Sequence, residues 1–144
     1  MIIGTGIDLV DSRRIQELYT KYGEKFISRI LSEDEKRKFK TLSDENNKKI
    51  MYLAKRFAGK EALSKALGTG IGDLSFNKIK ILNNHLGKPI VKIDSNKNIL
   101  DLITNIKFNF LDSLKIKFGI NRIKIDISLS DEYPMAVAFV VVSM

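Results

Sequence analysis

Apolar residues recur along the chain at changing spacings, and each spacing predicts a type of element. Residues 1–10 form an apolar stretch that predicts a strand, and Gly4 and Gly6 within it indicate a β-bulge or the close approach of another backbone or a ligand. Helical spacing with cap and stop signals follows. The elements predicted there are a helix capped by Asp11 or Ser12 and ended by Gly23, a short helix or turn at 26–31, and a helix from the capping box at 32–35 through Leu42.

The longest predicted helix covers about 46–67 and is stopped by Gly68-Thr69-Gly70. Strand signals dominate the rest of the chain, apart from a broken helical excursion predicted at 96–119. The predicted strands are 76–82 and 89–93, joined by a turn at 83–87, then 122–128, and finally the apolar run 135–142, which suits a central strand covered on both faces. The pattern predicts a single α+β domain over 1–144, with a mostly antiparallel sheet packed around a long central helix.

Composition narrows the classes of function. The chain has 25 Lys and Arg against 17 Asp and Glu, and a net charge of +8 favours an anionic partner such as nucleic acid, an acidic protein or a polyphosphate. A biased Lys, Ile and Asn content explains the same charge without any function. The absence of cysteine excludes disulfides, thiolate metal sites and cysteine nucleophiles. No apolar stretch approaches the ~20 residues that cross a bilayer, and the N-terminus lacks a secretory signal, so cytoplasmic residence is expected.

Asp8 is the first candidate for chemistry. It ends a predicted buried strand just before a helix, and its hard oxygens suit Mg²⁺, which completes its shell with water and phosphate oxygens. A loop or capping role explains the same residue, and the segment taken alone favours that simpler interpretation.

The second candidate is a polar surface on the long helix. Glu61 and Lys65 lie one turn apart, and a metal-binding Glu beside a Lys could hold a pyrophosphate. An ordinary exposed ion pair worth ~0.2–0.5 kcal/mol explains the same spacing. Arg56, Lys60 and Ser64 are also spaced at four and share a neighbouring face.

Other features exclude some classes of protein. The turn at 68–72 follows a helix instead of opening one, so it is neither a P-loop nor a dinucleotide fingerprint. The single histidine, His85, falls in a predicted turn, which disfavours a Ser/His/Asp hydrolase. A nucleic-acid-binding module fits the charge but lacks zinc-finger spacing, an RNP-like aromatic strand and an arginine-rich arm. Another Mg²⁺-dependent phosphoryl-transfer enzyme stays open as an alternative.

The chain resembles the holo-acyl-carrier-protein synthases over nearly its whole length, apart from 96–119. The segments that carry the resemblance occur in the family's order: Gly6-Ile7-Asp8-Leu9-Val10, Arg14-Ile15, 56–72, Gly87-Lys88-Pro89 and Ile127-Ser128-Leu129-Ser130. The resemblance implies transfer of 4′-phosphopantetheine from coenzyme A to a serine of an acidic apo-acyl carrier protein. Adenosine 3′,5′-bisphosphate is released, and the carrier is activated for fatty acid biosynthesis. It also implies a homotrimer with active sites at subunit interfaces.

The resemblance implies roles for individual residues as well. Asp8 and Glu61 would hold Mg²⁺ against the coenzyme A pyrophosphate. Lys65 would contact the phosphate, and either Lys65 or a metal-bound water would take the proton of the carrier serine. The residues implied to line the coenzyme A site are Arg56, Lys60, Ser64, Gly68, Thr69, Gly70, Lys88 and Ser130. Those implied to dock the carrier are Arg13, Arg14 and Lys21.

Two features depart from the family pattern. After Ser128-Leu129-Ser130 the family typically has a histidine associated with the coenzyme A end of the site, whereas this chain has Asp131. An ionised carboxylate repels phosphate, so Asp131 is expected to disfavour that part of coenzyme A binding. The segment 96–119 is also longer than usual, and nothing in the sequence indicates its function.

Overall fold

The computed structural model describes residues 1–69, 75–93 and 123–143, so the helical excursion predicted at 96–119 lies outside the described residues. The helices are α1 (Ser12–Tyr22), α2 (Glu24–Ile30), α3 (Glu33–Lys40) and α4 (Lys48–Leu67). One short 3-10 turn, Glu45–Asn47, lies between α3 and α4, and a second, Phe76–Lys78, precedes the strand that follows α4. The strands are β1 (Ile2–Asp11), β2 (Ile79–Asn83), β3 (Pro89–Ile93), β4 (Lys124–Glu132) and β5 (Met135–Ser143). None of the helices described is long and apolar enough to cross a membrane.

All the strand pairs in the described residues are antiparallel. Strands β1, β5 and β4 form a three-stranded sheet in that order, and β2 pairs with β3 as a separate hairpin. Helix α4 packs across β1 and β5, and its buried residues form much of the core. The predicted α+β architecture, with antiparallel strands around a long central helix, is confirmed.

The glycines of β1 let this strand lie directly against α4. A Cβ atom built on Gly6 would stand 1.9 Å from the carbonyl oxygen of Ala62, and one built on Gly4 would stand 2.0 Å from that of Ala66. Any side chain at either position would therefore push the strand away from the helix backbone. The predicted close approach is confirmed, and it holds Asp8, two residues after Gly6, beside the C-terminal half of α4.

Several helix ends follow the local signals in the sequence. The Asp11 side chain caps α1 by accepting from the backbone N–H of Arg13 at 2.9 Å. Ser32 and Glu35 form the predicted capping box of α3. Gly68 adopts a left-handed conformation with φ of 69° and ends α4. Such ends are readable from sequence because each depends on contacts within a few residues.

Some predicted boundaries are wrong. Helix α4 begins at Lys48 instead of about 46, because Asn46 and Asn47 have left-handed backbone angles. The segment predicted as strand from 76 begins with the 3-10 turn, and β2 starts only at Ile79. Strand β4 continues to Glu132, beyond the predicted end at 128, because it pairs with β5 up to the connecting turn.

Strand β5 is central, as predicted, but it is not covered on both faces within one chain. Alternate residues, including Ala138 and Val140, are fully buried on the side of α4. On the opposite face Phe139 is 45% exposed, and its neighbours Ile7 and Leu9 on β1 are 60% and 63% exposed. The apolar run is therefore consistent with one face packed on α4 and one open apolar face.

A fully buried ion pair lies in the core. The Lys60 ammonium donates to a carboxylate oxygen of Glu35 at 2.6 Å and to the carbonyl oxygens of Ile30 and Phe76 at 2.6 and 2.9 Å. The other Glu35 oxygen accepts from the backbone N–H of Ile81 at 3.0 Å. Burial lowers the pKa of Lys60 to about 8, against the opposing effect of the Glu35 carboxylate. The pair links α2, α3, α4, the second 3-10 turn and β2.

Replacing Lys60 by Met is expected to lower the free energy of unfolding by about 3–5 kcal/mol, because Glu35 is left buried and unpaired. Urea unfolding measures this loss. The matched control is Lys124→Met, which breaks a pair with Asp126 in which Lys124 is 70% exposed, and it should cost less than about 1 kcal/mol. Equal losses in the two variants would contradict a special role of the buried pair. Adding Glu35→Leu to Lys60→Met should recover much of the loss.

Candidate active site

Three sequence-predicted residues meet where β1 crosses the C-terminal half of α4. The Lys65 ammonium donates to Asp8 Oδ1 at 2.8 Å and to the carbonyl oxygen of Ile7 at 3.0 Å. Glu61 lies one turn earlier on α4 and is 7% exposed. The structure therefore brings two carboxylates and one ammonium group to the same place.

The Glu61 carboxyl has an unusual environment. Burial raises its pKa and the Asp8 carboxylate raises it further, whereas the Lys65 ammonium lowers it. Within the described part of the chain, no hydrogen-bond donor reaches Glu61, and its carboxylate oxygens open onto an adjoining groove although most of the side chain is buried. Its oxygens are therefore available to a ligand that supplies positive charge.

The donor set fits Mg²⁺. This ion commonly takes one or two carboxylates and completes its shell with water and phosphate oxygens. Among residues 1–69, 75–93 and 123–143, no group of three or more His, Cys, Asp or Glu side chains could hold a metal. The pair of Asp8 and Glu61 therefore suits an ion that a phosphorylated substrate helps to bind, instead of a closed structural metal site.

Arg56 lies in a second cleft of about 280 Å³, between α4, the β2–β3 hairpin and β4. Its guanidinium donates to the Ile81 carbonyl oxygen at 3.1 Å and to Asn83 Oδ1 at 2.8 Å, and lies 4.1 Å from the centre of the Tyr52 ring. Because a helix turns about 100° per residue, Arg56 and Glu61 point about 140° apart. One chain does not bring them to a common surface.

Strand β4 and the hairpin turn supply the other groups near this second cleft. The Lys55 ammonium donates to Asp131 Oδ1 at 2.7 Å, so the charge that was expected to repel a phosphate is paired. Ser130 is exposed on β4. Lys88 is exposed in the hairpin turn, with its ammonium 3.7 Å from a carboxylate oxygen of Asp126.

Lys60 and Ser64 are not placed to line a coenzyme A site. The Lys60 side chain is fully buried, and its ammonium already has three acceptors in the core. Ser64 is also buried, and its hydroxyl donates to the Lys60 carbonyl oxygen at 3.0 Å. Helical spacing showed that the two residues share a face with Arg56 but not that this face turns into the protein.

The turn after α4 is only partly described. The backbone N–H of Thr69 donates to the Ser64 carbonyl oxygen at 3.1 Å, next to the helix end at Gly68. Gly70 lies outside the described residues. Binding of coenzyme A by this turn stays a prediction.

The three cations predicted to dock a carrier differ in their surroundings on α1. Arg13 forms a two-pronged ion pair with Asp11, whose pKa it lowers. Arg14 is exposed and has no ion-pair partner in the described residues. The Lys21 ammonium lies 5.1 Å from the centre of the Tyr22 ring.

A groove of about 630 Å³ runs between α1 and α2 and reaches Glu61. Two cations, Lys25 and Arg29, contribute to its lining. Its apolar lining comes from Leu18, Tyr22, Phe26, Ile30, Phe57 and Phe76. The groove therefore joins an apolar, positively edged surface to the candidate metal ligands.

Sequence reasoning missed Glu35 and Lys55. Glu35 was identified for its place in the capping box, and that signal does not reveal that its carboxylate also binds Lys60. Lys55 adjoins Arg56 in the sequence, and this pair of adjacent cations was the only local sign that Lys55 lies near the same site. Their partners are 25 and 76 residues away, so local spacing could not identify them.

A family model described as the 4′-phosphopantetheinyl transferase superfamily matches residues 4–138. The chain belongs to this superfamily. The match includes the described strands and helices that position Asp8, Glu61 and Lys65.

Individual relatives agree with the family match. The chain is 46% identical over 144 residues to the holo-[acyl-carrier-protein] synthase of Orientia tsutsugamushi (strain Ikeda), covering 99% of this chain and 98% of the relative. The solved structure of the Neisseria meningitidis holo-[acyl-carrier-protein] synthase is similar with a TM-score of 0.74 and 38% identity, covering 100% of both chains. The Bacillus anthracis enzyme, solved in complex with CoA (3′,5′-ADP), gives a TM-score of 0.72 and 33% identity, covering 99% of this chain and 96% of that one.

Replacing Glu61 by Gln is expected to raise the free energy of unfolding near neutral pH. The folded state raises the Glu61 pKa, so stability is lost as the pH rises through that pKa and the carboxyl ionises. The gain should disappear well below the ordinary pKa of 4.5, where Glu61 is protonated in both states. Urea unfolding of the variant and the unmodified chain, at acid and at neutral pH, measures this difference in free energy.

Glu33→Gln provides the control with the opposite sign. The Lys36 ammonium lowers the Glu33 pKa, so this variant should lose stability near neutral pH. If Glu61→Gln instead lost stability at neutral pH, the ionised Glu61 carboxylate would be stabilised in the folded chain, which would contradict the raised pKa.

Proposed function

We propose that this chain is a Mg²⁺-dependent holo-[acyl-carrier-protein] synthase, which transfers 4′-phosphopantetheine from coenzyme A to a serine of an apo-acyl carrier protein. One observation carries the proposal. The largely buried Glu61 side chain receives no hydrogen bond from the described residues and lies beside Asp8, to which the Lys65 ammonium is bound. Membership of the transferase superfamily supports the reaction type. Cytoplasmic residence stays a prediction.

Asp8 and Glu61 would hold the Mg²⁺ ion. Strand β1 supplies one carboxylate and α4 the other, and the glycine contacts keep the two elements together. When bound, the ion would neutralise charge on the pyrophosphate of coenzyme A.

The reaction requires a nucleophile, a leaving group and a proton acceptor. The carrier serine oxygen forms a bond to the β-phosphorus of coenzyme A, and the bond from this phosphorus to the bridging oxygen breaks. Adenosine 3′,5′-bisphosphate leaves with that oxygen. Both hydrogen bonds of Lys65 go to acceptors, Asp8 and the Ile7 carbonyl, so its remaining N–H suits donation to a phosphate oxygen. This geometry favours a water molecule over Lys65 as the acceptor of the serine proton.

The α1–α2 surface is proposed to dock the carrier protein. Arg14 and Lys21 are exposed cations, and the adjoining groove offers apolar side chains that reach Glu61. An acidic carrier helix would meet both the charge and the apolar surface. Arg13 contributes less to this surface because Asp11 already neutralises it. Exposed charges of this kind mainly raise the association rate and make it sensitive to salt.

A homotrimer is proposed from the open face of the three-stranded sheet. Ile7, Leu9 and Phe139 are exposed together on this face, and apolar patches of this kind commonly mark interfaces. Asp8 lies between Ile7 and Leu9 on β1, so contact between copies would form next to the candidate metal site. Contact between copies could also bring the Arg56 cleft of one chain to the carboxylates of another.

Intact mass spectrometry of an apo-acyl carrier protein incubated with the chain, coenzyme A and Mg²⁺ tests the reaction. The carrier should gain the mass of one phosphopantetheine, and the gain should require both coenzyme A and Mg²⁺. Glu61→Gln should nearly abolish the gain while the variant stays folded, because it removes a metal-binding charge. Light scattering on the same sample should give three chain masses. A folded, trimeric protein that modifies none of several carriers would contradict the proposal.

Replacing Arg14 by Ala should raise the carrier KM by about two- to fivefold, as for the loss of one exposed charge contact. Added salt should reduce the difference between this variant and the unmodified chain. Arg13→Ala is the control, and its KM should change little because Arg13 is paired with Asp11. Equal effects of the two substitutions, or an unchanged KM in Arg14→Ala, would remove Arg14 from the docking surface.

A further inference from the structure

The cleft beside Arg56 has an unbalanced positive charge. Among the described residues, the cations Lys38, Lys55 and Arg56 line it, and no Asp or Glu does. Asp131 is not among these lining residues, but its carboxylate contacts Lys55, which is. A ligand with more than one negative charge therefore matches this cleft.

Arg56 is fixed in place without being neutralised. Its partners are the Ile81 carbonyl, the Asn83 side-chain oxygen and the Tyr52 ring, none of which is a carboxylate. Asn83 is itself held, because its amide group donates to the Gly87 carbonyl oxygen at 2.7 Å. A guanidinium positioned in this way can bind phosphate oxygens with little loss of side-chain freedom.

The pair of Lys55 and Asp131 adds a different feature. Both side chains are about one-third exposed, and the bond uses one of the three N–H donors of Lys55 and only Oδ1 of Asp131. In the described part of the chain, Asp131 Oδ2 has no donor. The pair thus presents ammonium donors and a free carboxylate acceptor side by side.

A simple anion is a poor match for this arrangement, because Asp131 repels it. A ligand that carries a phosphate together with an N–H or O–H donor satisfies both members of the pair. The phosphorylated nucleoside end of coenzyme A has this chemistry, with sugar hydroxyl and base amino groups close to its phosphates.

We propose that Lys55 and Asp131 form a specificity-determining pair for the nucleotide end of coenzyme A. Lys55 and Arg56 bind phosphate, and Asp131 accepts a hydrogen bond from a hydroxyl or amino group of the nucleoside. The inference rests on the proposed transferase function, and it replaces the expectation that Asp131 only disfavours this end of coenzyme A. Asp131 selects a nucleotide over a bare phosphate.

Isothermal titration of the full chain with adenosine 3′,5′-bisphosphate and with inorganic pyrophosphate tests the pair. Asp131→Ala should weaken binding of the nucleotide about tenfold, as for the loss of one hydrogen bond to a charged group. The same variant should bind pyrophosphate equally well or about two- to threefold more tightly, since a negative charge is gone. Lys55→Met should weaken the binding of both ligands.

Asp34→Ala is the matched control, because Asp34 also forms a partly buried ion pair with a lysine, Lys80, and its loss changes the net charge equally. It should leave the ratio of the two affinities unchanged. If Asp131→Ala changed the affinities for the nucleotide and for pyrophosphate in the same direction, the proposal would be overturned. The same ratio change in Asp34→Ala would also overturn it, since general charge would then explain the result.

The titration contains neither carrier protein nor Mg²⁺, so its outcome is separate from that of the mass assay. Transfer by the chain, combined with unaltered nucleotide binding in Asp131→Ala, would remove the role of the pair and leave the transferase assignment standing. Absence of transfer would remove the transferase assignment, and the selectivity of the cleft would still be decided by the two titrations.

Discussion

The buried ion pair between Lys60 and Glu35 is the interaction on which the two clefts of the molecule depend. The carbonyl groups of Ile30 and Phe76, which accept from Lys60, belong to residues that line the apolar groove reaching Glu61. On the other side of α4, the N–H of Ile81 donates to Glu35 while its carbonyl accepts from the guanidinium in the second cleft. A buried charge pair is costly to desolvate, but here both members have further hydrogen bonds, and these set the positions of α2, α3 and β2.

The candidate metal site combines a rigidly held Asp8 with a Glu61 carboxylate whose ionised form is disfavoured. Gly4 and Gly6 allow β1 to pack on the backbone of α4, so the position of Asp8 relative to the helix is fixed by close contact. Glu61 is buried next to that carboxylate, and both burial and Asp8 oppose its ionisation. A structural role would favour an apolar residue or a hydrogen-bonded partner at this position. The unfavourable environment is consistent with a group kept for binding a cation.

Local chemistry in the sequence predicted the fold well where the determining contacts are local. Gly23 and Gly68 end helices, and the capping box starts α3, because each signal involves neighbouring residues. The resemblance likewise identified Asp8, Glu61 and Lys65, which the structure brings together. The destination of Lys60 could not be predicted in this way. Helical spacing shows on which face of the helix a side chain lies, but it does not show which groups of other elements pack against that face. The acceptors of Lys60 come from three separate elements.

The arrangement around α4 also explains why one chain alone does not assemble the whole proposed site. Glu61 and Lys65 face β1, whereas Arg56 emerges about 140° away beside the hairpin. Coenzyme A carries its reacting phosphorus and its nucleotide phosphates at different points of one flexible molecule. In the proposed trimer, the basic cleft of one chain would serve the carboxylates of another. The open apolar face next to Asp8 is where the boundary between subunits would form, so the proposed trimer and the division of charges across α4 favour the same arrangement.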